Sequence, residues 1–158
     1  MNGVRIEIEN ESNLVPFDGE RAARLLRQIL ADAGIERGLL EVSIIDDPAI
    51  HRLNVQFLGH DYPTDVLAFE LERDSRSALL EGNVIVSDQT ALERAADYGW
   101  PPEHELLLYV VHGTLHLVGY DDHAPEDERL MRAKEREYLA RLGISAIAGA
   151  DDLGKKED

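Results

Sequence analysis

Cysteine is absent from the sequence of 158 residues. Its absence excludes disulfide frameworks, thiol nucleophiles and every zinc site built on thiolate ligands. A transition metal, if the protein holds one, must therefore be bound by histidine, aspartate or glutamate. At this length a single domain buries roughly 70% of the surface of its unfolded chain, so neither a disulfide nor a metal is needed for folding.

Long hydrophobic runs are also missing. The longest apolar stretch, residues 106–118, is interrupted by His112 and His116, and it is shorter than the ~20 residues that a membrane-spanning helix requires. The first residues, MNGVRIEIENE, contain no apolar segment of the kind found in secretory signals. We therefore expect a soluble, cytoplasmic protein that does not bind membranes.

Basic residues are scarce. Lysine and arginine number 16 against 32 aspartates and glutamates, which gives a formal net charge of −16. Because binding to phosphates requires clustered cations, this balance opposes generic nucleic-acid binding, and DNA is not an expected partner. A small basic groove is still compatible with the composition, and its candidate residues are Arg52, Arg73 and Arg76. The alternative is that these arginines lie on an ordinary solvated surface.

Hydrophobic patterning predicts one α/β domain over residues 1–144, with four strands in one small sheet and about five helices. Alternating or apolar segments predict strands over 4–9, 40–45, 64–71 and 82–87. Helical periodicity predicts helices over 25–33, 46–58, 88–98, 103–118 and 125–142. Residues 145–158 contain few large apolar side chains, which predicts a flexible C-terminal tail.

The segment 112–123 is the most informative for function. His112 and His116 are four residues apart on a predicted helix, so both side chains project from one face and can share a metal ion. The rest of that helix is apolar around most of its circumference, which indicates that the imidazoles are buried and need polar partners. Two histidines with ordinary hydrogen-bond partners are the alternative interpretation.

Gly119 predicts the end of this helix and a turn that brings Asp122 or His123 beside the two histidines. Three nitrogen and oxygen ligands leave an open position for water, which is typical of catalytic zinc sites. A zinc-bound water is then the candidate catalytic group, because no protein base is evident. The spacing is similar to that of metzincin proteases, but Gly113 stands where such enzymes carry a glutamate base.

Two motifs resemble those of a known family. HGTLHLVGYD, residues 112–121, resembles the signature HGxLHLxGYDH of the YbeY family of bacterial endoribonucleases, and PTDVLAF, residues 63–69, resembles that family's PTDVLSF segment. The similarity continues at 53–54, 82–87 and 104–105. The resemblance implies a mixed four-stranded sheet, one zinc ion on the signature helix and cleavage of single-stranded RNA. It also implies maturation of the 3′ end of 16S ribosomal RNA and ribosome quality control, with ribosomal RNA and the small ribosomal subunit as partners.

The chain departs from the family pattern at three positions. The family carries its third histidine three residues after the glycine, where this chain has Asp122. Asp122 is the favoured third ligand, because the turn delivers it without an insertion and a carboxylate is an ordinary zinc ligand. The alternative ligand, His123, would need one extra residue in the turn. Leu58 replaces an arginine of the family pattern, and Asn83 replaces an aspartate.

The resemblance further implies that Thr64 and Asp65 bind substrate in a cleft, whereas their residue types alone predict only a turn before a strand. The predicted function is a zinc-dependent, single-strand-specific endoribonuclease. One alternative is a ribosome-assembly factor that binds zinc without cutting RNA. Another is a metalloprotease, which would need a catalytic base from elsewhere in the chain.

Overall fold

Four strands and five helices follow one another along residues 3–145, the residues that this computed structural model describes. The strands are β1 (Val4–Asn10), β2 (Arg37–Ile45), β3 (Val66–Asp74) and β4 (Leu79–Ser87). The helices are α1 (Gly19–Asp32), α2 (Asp47–Leu58), α3 (Asp88–Tyr98), α4 (Pro102–Leu117) and α5 (Pro125–Ala140). The predicted tail, 145–158, lies outside the described residues except for Ser145.

The strands form one mixed sheet in the order β1-β2-β4-β3. β1 pairs with β2 and β2 with β4 in parallel, whereas β3 and β4 are antiparallel. β1 and β2 are joined through α1, and β2 and β4 through α2 and β3, whereas a short turn joins the antiparallel pair. The predicted α/β fold with a mixed four-stranded sheet is confirmed.

Strand β3 differs from its predicted bounds of 64–71. It begins at Val66 and continues through the polar residues 72–74, which pair with Leu79, Leu80 and Glu81 of β4. Their side chains are exposed, so the hydrophobic pattern does not reveal this end of the strand. Cross-strand hydrogen bonding to β4 extends the ladder where the sequence pattern predicts a polar connection.

Helix α4 runs through the centre of the molecule. It contacts β3 and β4 on one side and α1, α3 and α5 on the others, and Leu106, Leu108 and Val111 are among its fully buried side chains. The prediction of a helix that is apolar around most of its circumference is confirmed. Any polar group on α4 must therefore find partners within the protein or in a cavity.

Helix α2 covers part of the opposite face of the sheet. Ile50 of α2 packs there with Ile45 and Leu67 in a second, smaller apolar cluster. Val55, Phe57 and Leu58, toward the end of α2, remain 45–58% exposed. This placement brings the end of α2 and the loop after it close to the cavity beside α4.

Among residues 3–145, no helix is both long enough and apolar enough to cross a membrane. The apolar stretch in α4 is instead part of the core of the domain.

Candidate metal centre

Two histidines lie on consecutive turns of α4. The ring centroids of His112 and His116 are 4.7 Å apart and their planes are inclined by 79°. His112 is buried and His116 is half-buried, and both line a cavity with a volume of about 610 Å³. The i, i+4 spacing thus presents two imidazoles to one space.

Gly113, between these histidines, lies against the sheet. A Cβ atom at this position would be 2.7 Å from Cγ1 of Val84 and 3.1 Å from Cγ2 of Val66. Any side chain here would collide with the sheet, so close packing of α4 on β3 and β4 requires glycine. The position therefore cannot hold the glutamate base of a metalloprotease without displacing the helix.

The turn after α4 brings Asp122 back beside the two histidines. The helix closes at Val118, and Gly119 has a φ of +111°, a left-handed conformation that lets the chain reverse. An oxygen of Asp122 lies 3.6 Å from Nε2 of His112, and its other oxygen lies 3.6 Å from Nε2 of His116. The three side chains each offer one ligand atom, all within 4.8 Å of one another.

These separations fit a zinc ion. Bond lengths of about 2.0–2.2 Å place neighbouring ligand atoms of a tetrahedral site about 3.3–3.6 Å apart. Each histidine nitrogen lies 3.6 Å from one of the two Asp122 oxygens, close to that spacing. Two imidazole nitrogens and one carboxylate oxygen are a donor set that zinc accepts, and three protein ligands leave one position open.

The carboxyl group of Asp122 is held in its ionised form. Hydrogen bonding to His116, together with the electrostatic effects of the two imidazoles and of the Arg132 guanidinium, lowers the pKa of Asp122 to about 2, against the opposing effect of burial. A carboxylate that is already deprotonated is ready to bind a cation at neutral pH.

Helix α5 supplies two further buried charges to this centre. Oε2 of Glu135 accepts a hydrogen bond from Nδ1 of His112 at 2.6 Å. Nη2 of Arg132 lies 3.2 Å from the same Glu135 oxygen and 3.8 Å from Oδ2 of Asp122. Because Glu135 accepts at Nδ1, the free lone pair of His112 is on Nε2, the nitrogen that faces Asp122.

Sequence reasoning missed Arg132 and Glu135. The available signal is that Glu135 follows the buried Met131 by four residues and precedes the buried Tyr138 by three, so it occupies a core position of α5. A charged residue at such a position needs a partner inside the protein. The sequence does not reveal that this partner is a histidine 23 residues away.

His123 lies apart from the histidine pair. Its side chain is 87% exposed, and Nδ1 lies 2.9 Å from a carboxylate oxygen of Asp121. His123 borders the same cavity and forms a separate group with Asp121 and Asp122. Of the two alternatives for the third ligand, the structure groups Asp122 with His112 and His116, and it leaves His123 on the rim.

Thr64 and Asp65 line the cavity with the candidate ligands. Asp65 is buried and forms an ion pair with Arg94 at 2.8 Å, and the Thr64 hydroxyl donates to Asp65 at 3.3 Å. The backbone oxygen of Asp65 also accepts from the Ser87 amide. These contacts anchor the segment just before β3 at the cavity wall.

The three candidate arginines do not gather at this cavity. Arg52 borders a separate depression on α2. Arg73 donates to the backbone oxygen of Leu117 at the end of α4, and Arg76 is exposed in the turn between β3 and β4. Within the described chain, no lysine or arginine lines the cavity.

The two other departures from the family pattern lie in different places. Leu58 lines the cavity and is 48% exposed. Asn83 lies on β4, with its amide nitrogen, in the orientation that satisfies both amide atoms, donating to Glu41 of β2. Asn83 is not among the residues that border the cavity in the described part of the chain.

His60 and Tyr62 are cavity residues that sequence reasoning also missed. Both are exposed on the loop between α2 and β3, with ring centroids 5.4 Å apart and planes inclined by 11°. The Tyr62 hydroxyl lies 3.2 Å from Nδ1 of His60. Their positions in a polar turn contain no sequence signal for a cavity wall.

Comparisons with known proteins agree with these features. The sequence profile described as Endoribonuclease YbeY matches residues 7–143. A protein named Endoribonuclease YbeY from Rhodopirellula baltica is 43% identical over 128 residues, covering 79% of this chain and 65% of that protein. One with the same name from Bacillus licheniformis is 35% identical, covering 89% of this chain and 96% of that protein.

A solved structure shares the fold. The solution structure of a protein from Thermotoga maritima matches with a TM-score of 0.61 and 28% sequence identity, covering 87% of this chain and 91% of the other.

Proposed function

Because the chain belongs to the YbeY family of endoribonucleases, we propose that it is a zinc-dependent enzyme that cleaves single-stranded RNA. Its substrate is the 3′ region of 16S ribosomal RNA on the small subunit, and it acts in the cytoplasm in ribosomal RNA maturation and ribosome quality control. The observation that carries this proposal is the convergence of His112, His116 and Asp122 in one open cavity.

The zinc ion would be held by Nε2 of His112, Nε2 of His116 and the carboxylate of Asp122. When bound, zinc supplies a positive charge that polarises a phosphate oxygen. Glu135 holds the His112 ring by its other nitrogen, so this ring does not rotate away from the cavity. The cavity of about 610 Å³ is open to solvent, as access for an RNA strand requires.

Two of the acids near the cavity are paired with arginines. The Asp65 carboxylate is neutralised by Arg94, and the Glu135 carboxylate lies next to Arg132. Both acids are buried, so neither presents an unbalanced negative charge to a phosphate group. Asp122 and the exposed Glu70 then remain as negative groups of the cavity wall, and zinc would offset Asp122.

One observation favours a second candidate function, a zinc-binding ribosome-assembly factor that does not cut RNA. No lysine or arginine of residues 3–145 lines the cavity, and Leu58 occupies part of its wall. Because cations attract and orient RNA phosphates, their absence weakens the case for catalysis more than the case for contact with the ribosome.

The test combines metal analysis with RNA cleavage by the purified full-length chain. We expect one zinc ion per chain and cleavage of a single-stranded RNA, with a matched duplex left intact. The His112→Ala variant should lose both zinc and cleavage, and the matched control His104→Ala, on the first turn of the same helix, should keep both. A zinc-loaded protein that binds the RNA without cutting it would favour the assembly factor.

A further inference from the structure

His60 and Tyr62 form a pair of stacked rings on the rim of the cavity that contains the candidate metal ligands. Tyr62 is 40% exposed and His60 is exposed as well. Core packing therefore does not account for these two rings. From this arrangement, and resting on the proposed function, we propose that His60 and Tyr62 are a stacking platform for one base of the RNA strand.

The platform is held in place by α2. The buried Asn54 side chain donates from Nδ2 to the backbone oxygen of Tyr62 at 2.9 Å, and its backbone oxygen accepts from the His60 amide at 3.2 Å. Asp61 lies between His60 and Tyr62 in the sequence, and its Oδ1 is 2.8 Å from Nε2 of His51 on α2. A loop fixed at these points presents its rings at little entropic cost on binding.

The ring geometry suits a base. The two planes are inclined by only 11°, so a third flat ring can continue the stack on an exposed face. Aromatic side chains hold unstacked bases of single-stranded RNA in this way, and a duplex does not offer its bases for such contact. The platform thus favours single strands through shape rather than charge.

The composition of the cavity wall makes stacking important for affinity. Within the described chain, no lysine or arginine borders the cavity, whereas Asp122 and Glu70 do. Phosphate neutralisation, which usually dominates RNA affinity, is therefore weak at this wall. Stacking of one base contributes enough to change affinity about 5- to 150-fold, so His60 and Tyr62 are expected to supply much of the binding here.

The decisive experiment is a cycle that removes the ring, the base, or both. Fluorescence anisotropy measures binding of two short labelled phosphorothioate strands to the full-length, zinc-loaded chain: an oligoadenylate, and an abasic ribose–phosphate chain of equal length. We expect Tyr62→Ala to weaken oligoadenylate binding at least about 5-fold, and His60→Ala to weaken it less. Binding of the abasic strand should change less than about 2-fold in either variant, because a stacking contact needs a base.

Two further variants control the comparison. Tyr62→Phe keeps the ring and should bind oligoadenylate within about 2-fold of the unmodified chain. Leu92→Ala removes an equally exposed side chain from α3, outside the cavity, and should leave binding unchanged.

Each contrary result has a distinct meaning. Oligoadenylate binding that is unchanged in Tyr62→Ala would overturn the platform and leave the proposed function intact. Equal losses for both strands would also overturn it, because they would show that Tyr62 acts on the backbone. Failure of the unmodified chain to bind either strand would overturn the proposed function and the platform together.

Discussion

Glu135 and His112 are joined by a hydrogen bond of 2.6 Å between two buried side chains that are 23 residues apart in sequence. The bond links α5 to α4 and sets which His112 nitrogen faces the candidate metal centre. Arg132, 3.2 Å from the same Glu135 oxygen, balances its negative charge. The candidate metal centre therefore depends on two helices. All three candidate ligands come from α4 and the turn that follows it, and α5 supplies the residues that orient His112.

Replacing Glu135 tests this link. We expect Glu135→Gln to lower zinc affinity about 10-fold, because an amide orients His112 less strongly and leaves Arg132 beside the site without its carboxylate partner. The measurement is competition with a chromophoric chelator. The matched control is Glu137→Gln. Glu137 is an exposed residue of the same helix that pairs with Lys134 and Arg141, and the zinc affinity of this variant should be unchanged. Unaltered affinity in Glu135→Gln would show that α5 does not tune the site.

The two histidines should be required for the metal but not for the fold. We expect His112→Ala and His116→Ala each to lose zinc while keeping most of the native circular dichroism, because the core of α4 packs through apolar side chains such as Leu106, Leu108 and Val111. Metal content after dialysis is the readout. Zinc at full occupancy in the double alanine variant would contradict this assignment.

Asp122 and His123 are adjacent residues that the structure separates. Asp122→Ala should lower zinc affinity by about 10-fold or more, since it removes a ligand. His123→Ala should have a smaller effect, because that side chain is 87% exposed and pairs with Asp121. Affinities measured in the reverse order would assign the metal to His123 and require a rearranged turn after Gly119.

Leu58 offers a way to add the charge that the cavity wall lacks. Leu58→Arg places a cation on a position that is already 48% exposed, so the fold should tolerate it. We expect tighter RNA binding and a slope of log affinity against log salt that is steeper by about 0.7, the value for one added phosphate contact on a single strand. The control Leu92→Arg, on α3, should change the slope less. Equal slopes in both variants would mean that RNA does not pass Leu58.

Tyr138 and Asp32 give a pH-dependent contact between α5 and α1. The Tyr138 hydroxyl donates to Asp32 at 2.6 Å, and this bond, with help from Arg141, lowers the pKa of Asp32 below its ordinary 3.8. A lowered pKa in the folded state stabilises the protein above the pKa of the unfolded chain, and the stabilisation is lost as pH falls through the folded value.

We therefore expect Tyr138→Phe to reduce the free energy of unfolding at pH 7 by about 0.5–1 kcal/mol, a modest value because Asp32 is half exposed. The difference between the variant and the unmodified chain should shrink below about pH 4, where Asp32 becomes protonated in the unfolded chain. Urea denaturation of both proteins at several pH values measures this difference in the free energy of unfolding. A difference that stays constant down to pH 2 would contradict the role of Asp32.

Local sequence determined the parts of this protein that depend on neighbouring residues. The i, i+4 spacing of His112 and His116, the apolar circumference of α4 and the turn at Gly119 follow from helix periodicity and from the backbone freedom of glycine. The absence of cysteine restricted the donors to nitrogen and oxygen. These properties need no knowledge of distant contacts, and the sequence therefore predicts the fold class and the location of the candidate centre.

Only the tertiary structure decided the rest. Glu135 occupies a core position of α5, and packing of α5 against α4 brings it to His112. His60 lies in a polar loop, and packing of α2 on the other face of the sheet brings that loop to the cavity. Local patterns do not encode such distances, because pairing across the sheet and burial between helices join residues far apart in sequence. Tertiary structure also separates two adjacent residues. Asp122 faces His112, whereas His123 faces solvent. The path of the chain after Gly119, with Asp122 beside Arg132 of α5, produces this difference.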